Sequence, residues 1–303
     1  MKKIVIFQNG GGELANQLWN YMSIYAYSRE VDAKINNPSF FEYGSHFKIH
    51  QPPLANLLLF KPFKNHHGRR GAPRRKIWRT LYKIYMAYVR IFKKNSTISS
   101  INRDNTVTYL PPSSNNVDIP NKDTIYFEGW LFRNPKGLEK YRQEILDYFR
   151  PKESVLKNLN TFLSPIQSSH VVGVHIRQGD YKTFKSGKYF IDQKRVREII
   201  DEYLVFSHNT SENTHFIITS DGPIDQRMFD GLQSSVSDMG PVEDLFLLSK
   251  TDLVLGSDSS FGDFASWYGD IPHIVLQKDS MDWQYYLDKK NFFENKYSTM
   301  VHY

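Results

Sequence analysis

The chain is predicted to be an α/β protein made of two Rossmann-like domains facing across a cleft (GT-B type), and three observations carry that expectation. Short, nearly continuous apolar runs alternate with helical patterns along most of the sequence. The first of these runs leads into a glycine-rich turn that opens a helix, as in nucleotide-binding domains. The length, 303 residues, suits about two ordinary domains.

Taken in order, Ile4-Val5-Ile6-Phe7 is a short buried strand and Gly10-Gly11-Gly12 a turn. Leu14, Leu18, Tyr21, Met22 and Tyr25 then recur at helical spacing. From Phe40 to about Pro120 the pattern is irregular and rich in Pro, Asn, Ser and bases. Within that stretch, Arg69-Arg70-Gly71-Ala72-Pro73-Arg74-Arg75 reads as a mobile positive turn. Residues 76–94 read as an amphipathic helix, with Trp78, Leu81, Tyr82, Tyr85, Val89 and Phe92 on one face and Lys76, Arg79, Lys83 and Arg90 on another. Order returns with a strand at 125–131 and a helix at 138–149. Four further strands follow at 171–176, 215–219, 253–255 and 273–276, typical of a buried parallel sheet, with helices at 193–206 and 242–249. The expected division is an N-terminal domain over 1–150, carrying a basic insert at 43–103, and a C-terminal domain over 151–303.

The charge is uneven. There are 39 Lys and Arg against 32 Asp and Glu, a net of +7. Between Tyr43 and Arg103 there are 14 bases and no acid, so the remainder holds 25 bases against 32 acids, a net of −7. That pattern argues for one local electropositive surface and against uniform coating of nucleic acid. In the insert helix the aromatics and the bases occupy separate faces, which does not suit a stacking platform for single strands. Two roles for the helix stay open, packing on the first domain and docking of residues 69–94 on an anionic membrane surface.

No cysteine is present, which excludes disulfides and thiol catalysis. Four apolar residues after two lysines at the start are too few for a signal or a span, so a cytoplasmic location is expected.

Ligands of doubly wound sheets sit at the carboxyl ends of the strands. Three successive strand ends here carry His175-Ile176-Arg177-Gln178-Gly179-Asp180-Tyr181, Ser220-Asp221-Gly222 and Gly256-Ser257-Asp258-Ser259-Ser260-Phe261-Gly262. A helix starting at Ser259 or Ser260 would turn free N–H groups toward an anion that Arg177 could meet bidentately. That combination suits a diphosphate. Each residue also has a plainer use: a serine N-cap, a turn aspartate at Asp180, a core histidine at His175. Gly10-x-Gly12-x-x-Ala15 matches a dinucleotide fingerprint formally, but Asp32 precedes the second strand instead of ending it, which weighs against an NAD-dependent oxidoreductase.

The run His175 to Tyr181 resembles the His-x-Arg-x-Gly-Asp-Tyr signature of the α-1,2-fucosyltransferase family. Further blocks follow in family order at 12–19, Tyr126-Phe127-Glu128-Gly129-Trp130, Thr219-Ser220-Asp221, 244–249, Ser259-Ser260-Phe261 and Ala265-Ser266-Trp267. The resemblance implies an inverting, metal-independent transferase that moves L-fucose from GDP-β-L-fucose to a glycan hydroxyl, with another GDP-sugar as the alternative donor. No cofactor is expected, and the acceptor is a glycan that a membrane lipid could carry. It implies that Arg177 contacts the donor diphosphate, with His175, Asp221, Ser259, Ser260 and Phe261 in the donor site. Asn16 would face the transfer site, and Glu13 beside it is the best-placed carboxylate for a base. The absence of any Asp-x-Asp pair fits a cation-free site. The chain departs from the family pattern at Gln178, where a second arginine is usual, at Ala15, and at Gly262-Asp263-Phe264 in place of Ser-Trp-Trp. These departures concern the acceptor and the linkage, and leave the diphosphate side unchanged.

Overall fold

The computed structural model describes residues 1–8, 13–49, 73–99, 106–288 and 291. They form two compact units, residues 1–156 and the chain from Lys157 onward. The Gly10-Gly11-Gly12 turn, residues 69–72 of the insert and the side chains of Lys76, Trp78 and Asp180 lie outside the described residues.

In the first unit, β1 (Lys2–Phe7) leads to α1 (Leu14–Glu30) and β2 (Ala33–Asn36). Helix α2 (Pro73–Phe92) and the short strands β3 (Thr97–Ser99) and β4 (Thr108–Tyr109) follow. Strands β5 (Thr124–Glu128) and β6 (Phe132–Arg133) then precede α3 (Pro135–Lys140) and α4 (Arg142–Tyr148), and α5 (Glu153–Leu163) runs across the division into the second unit. The sheet has the order β2-β1-β5-β3 with parallel neighbours.

Helix α1 is buried on nearly every side, where one apolar face was expected. The reason is that its polar residues are paired within the fold. Asn20, fully buried, donates to Gln8 Oε1 (2.8 Å) and to the Gly129 carbonyl (3.2 Å), and accepts from the Phe132 N–H (3.1 Å). It thereby ties the helix to the end of β1 and to the β5–β6 turn.

Two expectations for this unit are corrected. The strand expected to run to 131 ends at Glu128, because Gly129 takes φ 130° and turns the chain. The helix expected over 138–149 is two helices, broken at Tyr141, whose φ of −107° and ψ of 21° leave the helical region. A third correction concerns the insert. Tyr82, Met86 and Val89 of α2 pack with Val5, Phe7 and Tyr126, whereas Leu81 and Phe92, placed on that face by the sequence, are exposed.

The second unit holds β7 (His170–Ile176), α6 (Gln193–Phe206), β8 (Thr214–Ser220), β9 (Gln233–Val236) and α7 (Pro241–Leu248). It continues through β10 (Leu253–Gly256), α8 (Ser260–Gly269), β11 (His273–Val275) and α9 (Trp283–Tyr286). Its sheet is parallel throughout, in the order β11-β10-β7-β8-β9. Val172, Val174, Ile176, Phe216, Ile218, Leu253, Leu255 and Ile274 pack on α6 from one face. On the other face, Leu248 of α7 lies so close to Gly173 that a Cβ there would come within 2.7 Å of it. Burial on both faces explains the continuous apolar runs.

Replacing Asn20 by Ala leaves the Phe132 N–H and the Gly129 carbonyl buried without partners, at a cost of about 3 kcal/mol. Urea unfolding at neutral pH checks this: the midpoint falls, and an unchanged midpoint would show that α1 is held by its apolar contacts alone.

Candidate active site

The strand order of the second unit reverses direction beside β7. From β7 the chain winds outward through β8 and β9, then returns to place β10 and β11 on the other side. The segments leaving β7 and β10 at their carboxyl ends therefore diverge, and such a switch point leaves an open crevice for a ligand. The segment after β7 carries Arg177, and the segment after β10 carries Ser257 to Phe261. Two hydrogen bonds stitch the segments together: the Ser257 N–H donates to the His175 carbonyl (2.9 Å), and the Arg177 N–H donates to Ser257 Oγ (3.0 Å).

Asp221, at the end of β8, organises the turn after β7. Its Oδ1 accepts from the N–H groups of Gln178 (2.6 Å) and Gly179 (3.0 Å), and its Oδ2 lies 3.3 Å from Arg177 Nε. Glycine is required at 179, because a Cβ there would stand 2.9 Å from the same carboxylate. The Arg177 guanidinium lies 4.8 Å over the Tyr181 ring, and the Tyr181 hydroxyl donates to the Asp258 carbonyl (2.8 Å). The arginine is thus held on its sides by an anion and an aromatic face. Asp221, expected in the donor site, engages the turn and Arg177.

Ser259 is the N-cap of α8 with extended backbone, φ −157° and ψ 147°, and makes no side-chain capping bond. Its buried Oγ has no hydrogen-bond partner in the protein. The N–H groups of Ser260, Phe261 and Gly262 open the helix, and helix starts attract anions through their first-turn N–H groups and the helix dipole. The Phe261 ring stacks on the His175 imidazole, with centroids 4.6 Å apart. His175 Nδ1 lies 3.3 Å from Thr219 Oγ1, and its buried Nε2 has no partner. Burial first, and the Arg177 charge second, hold this ring down at about 3 against an ordinary value of 6.5. A neutral imidazole results.

The structure therefore brings His175, Arg177, Asp221, Ser259, Ser260 and Phe261 to one edge of one sheet. Glu13 and Asn16 belong to the first unit. Glu13 precedes α1, and its Oε2 accepts from the Tyr43 hydroxyl (2.8 Å); Asn16 sits in the first turn of α1, where its buried Oδ1 has no partner.

Three participants were not singled out from the sequence. Ser257 and Tyr181 stood inside the quoted runs, so the signal was there. The third, His273, gave none, because its role is a tertiary contact. Its Nδ1 pairs with Asp263 Oδ1 at 2.9 Å, both side chains fully buried, and its ring is wedged between Gly256 and Gly262. A Cβ on Gly262 would stand 2.6 Å from His273 Nε2. The Gly262-Asp263 departure from the resembled pattern is accordingly a local fit to His273. The Gln178 departure also points away from the ligand side, since its buried amide donates to the Ile191 carbonyl (3.2 Å).

Comparison with known proteins gives the family and the fold. A family model described as glycosyl transferase family 11 matches residues 62–294. Among solved structures, a fucosyltransferase, NodZ from Bradyrhizobium, is similar with a TM-score of 0.55 at 13 % identity, covering 92 % of this chain and 97 % of that one. A mutant of Arabidopsis thaliana FUT1 in complex with GDP gives 0.54 at 12 % identity, covering 93 % of this chain and 72 % of that one. POFUT1 in complex with GDP-fucose also gives 0.54 at 12 % identity, over 91 % and 98 %. At these identities the likeness is one of fold. No curated protein matches the sequence.

The depressed His175 has a consequence for stability. Below pH 6.5 the unfolded chain takes up a proton at His175 that the folded chain refuses, so stability falls as pH drops from about 6.5 toward 3, by about 1.4 kcal/mol per unit. Urea midpoints of wild type and His175→Gln, followed from pH 6.5 to 4.5, check this. The wild type is expected to lose more than the variant over that range. Parallel curves would mean that the imidazole ionises in the folded protein.

Proposed function

The chain belongs to glycosyl transferase family 11, and from that premise we propose that it transfers L-fucose from GDP-β-L-fucose to a hydroxyl of an acceptor glycan. The linkage proposed is α-1,2, formed with inversion at the anomeric carbon, in the synthesis of a surface polysaccharide. The observation that carries the reading is the placement of Arg177 and the N-terminus of α8 on either side of the β7–β10 switch point.

The chemistry follows from charge. Breaking the sugar–phosphate bond leaves an oxocarbenium-like sugar and adds negative charge to the departing diphosphate. Fixed positive groups accelerate that step when they meet the growing charge without having to reorganise. Arg177 is already oriented by Asp221 and Tyr181, and the N–H groups of Ser260 and Phe261 are fixed by the helix. These groups supply what a divalent cation would otherwise supply, and the chain has no Asp-x-Asp pair, so we assign the transfer a metal-independent course. Neutral His175 adds a hydrogen-bonding nitrogen to the site without competing with Arg177 for the anion. Ser259 Oγ is a further group for the phosphates or the sugar. On the acceptor side we assign Asn16, whose amide oxygen is unengaged in the protein, as a contact for the acceptor hydroxyl, with Glu13 beside it as the nearest carboxylate. An acceptor carried on a lipid, met at the cytoplasmic face of a membrane, fits this assignment.

The donor is tested by following GDP release and glycan product with GDP-fucose, GDP-mannose and UDP-sugars. Turnover is expected with GDP-fucose, and Arg177→Ala is expected to lower kcat by about 10²–10³-fold, the usual loss of one stabilising group at a developing charge. Turnover confined to GDP-mannose would favour the alternative donor. Turnover confined to UDP-sugars, or activity untouched in Arg177→Ala, would refute the site.

A further inference from the structure

Helix α2 uses one face to pack and presents a second apolar face to solvent. Inward, the Tyr82 hydroxyl donates to the Gln8 carbonyl (2.9 Å), and the Tyr85 ring lies 5.1 Å from that of Phe7. Met86 and Val89 are buried beside them, and Arg90 pairs with Glu128. Outward, Ile77, Leu81, Ile84, Tyr88, Ile91 and Phe92 fall at successive helical spacings and are between 47 and 70 % exposed. A contiguous row of this kind marks a contact surface, whereas soluble surfaces carry such residues singly.

We propose that this outward face of α2 rests on an anionic lipid bilayer. Charge complementarity selects that occupant. The segment from Tyr43 to Arg103 has 14 bases and no acid, and Arg79 and Lys83 stand exposed on the flank of the helix. Apolar side chains entering the acyl boundary with bases at the headgroups are the arrangement of interfacial helices. A second copy of the same face would bring two sets of like charges together. Nucleic acid would find an aliphatic row where it needs mixed bases and rings. Among the described residues no helix is long and apolar enough to cross a membrane, so the contact is with the surface of the bilayer.

The position of α2 gives the contact a purpose. Through Tyr82 it grips Gln8, just before the segment that leads to Glu13 and Asn16. α2 and the residues assigned to the acceptor belong to the same unit, so a bilayer under α2 would hold that unit at the membrane. The lipid contact stands on the exposed face alone; only its purpose rests on the transferase reading.

The test is co-sedimentation of the full chain with vesicles of phosphatidylcholine alone and of equimolar phosphatidylcholine and phosphatidylglycerol. Light scattering and GDP titration are run on the same samples. Binding is expected only to the anionic vesicles, weakening as salt rises, and falling at least about tenfold in Ile84→Asp/Ile91→Asp, with less loss in Lys83→Glu. GDP affinity should be the same in all three proteins, which shows that the variants fold. Absence of binding to anionic vesicles, or binding equal in wild type and the double variant, would overturn the proposal. So would a dimer in solution that the double variant dissolves, since a second copy would then cover the face. Failure to bind GDP alongside intact lipid binding would count against the transferase reading and leave the lipid contact standing.

Discussion

The carboxylate of Asp221 is the interaction on which the candidate site depends. It reaches from the end of β8 to grip the turn after β7, accepting from two consecutive backbone N–H groups and pairing with Arg177. Without that grip, the turn would need other partners for both N–H groups, and the guanidinium would lose the anion that orients it. A preformed arginine matters because catalysis gains most from charges that need no rearrangement as the reaction proceeds. The cost is Coulombic, since the arginine shares its charge with an internal anion. The site adds to the arginine the N-terminus of α8, whose cap serine makes no side-chain capping bond and whose dipole favours an anion.

The rest of the second unit serves that geometry. The parallel sheet, buried on both faces, fixes the ends of β7, β8 and β10 relative to one another. The His175 carbonyl and Ser257 Oγ then lace the two segments that diverge at the switch point. Beneath α8, the buried Asp263–His273 pair joins the first turn of the helix to the start of β11. It needs Gly256 and Gly262 to make room for the ring. Where the chain departs from the resembled pattern, at Gln178 and at Gly262-Asp263, the residues serve internal contacts.

Much of this was legible in the sequence, for physical reasons. Strands buried on both sides read as apolar runs, so β7, β8, β10 and β11 stood out, and the residues following them could be examined directly. Strand β9 did not, because Gln233-Ser234-Ser235-Val236 lies at the edge of the sheet and is mostly polar. The break at Tyr141 carries no Pro or Gly to announce it. For α2 the spacing predicts an amphipathic helix but does not choose its inward face. Two apolar rows exist on it, and Phe7 and Tyr126, distant in sequence, select Tyr82, Met86 and Val89. The contacts of Asp221 were hidden likewise, since nothing local shows that its carboxylate reaches the N–H groups of Gln178 and Gly179.

If Asp221 acts through Arg177, a double-mutant cycle on GDP affinity shows it most directly. Titration calorimetry on wild type, Arg177→Ala, Asp221→Asn and the double variant gives the coupling between the two side chains. Each single change is expected to weaken GDP binding, and the double variant to be little worse than Arg177→Ala alone, a coupling of about 1–3 kcal/mol. Losses that simply add would contradict it, because Asp221 would then contribute to GDP binding independently of the arginine.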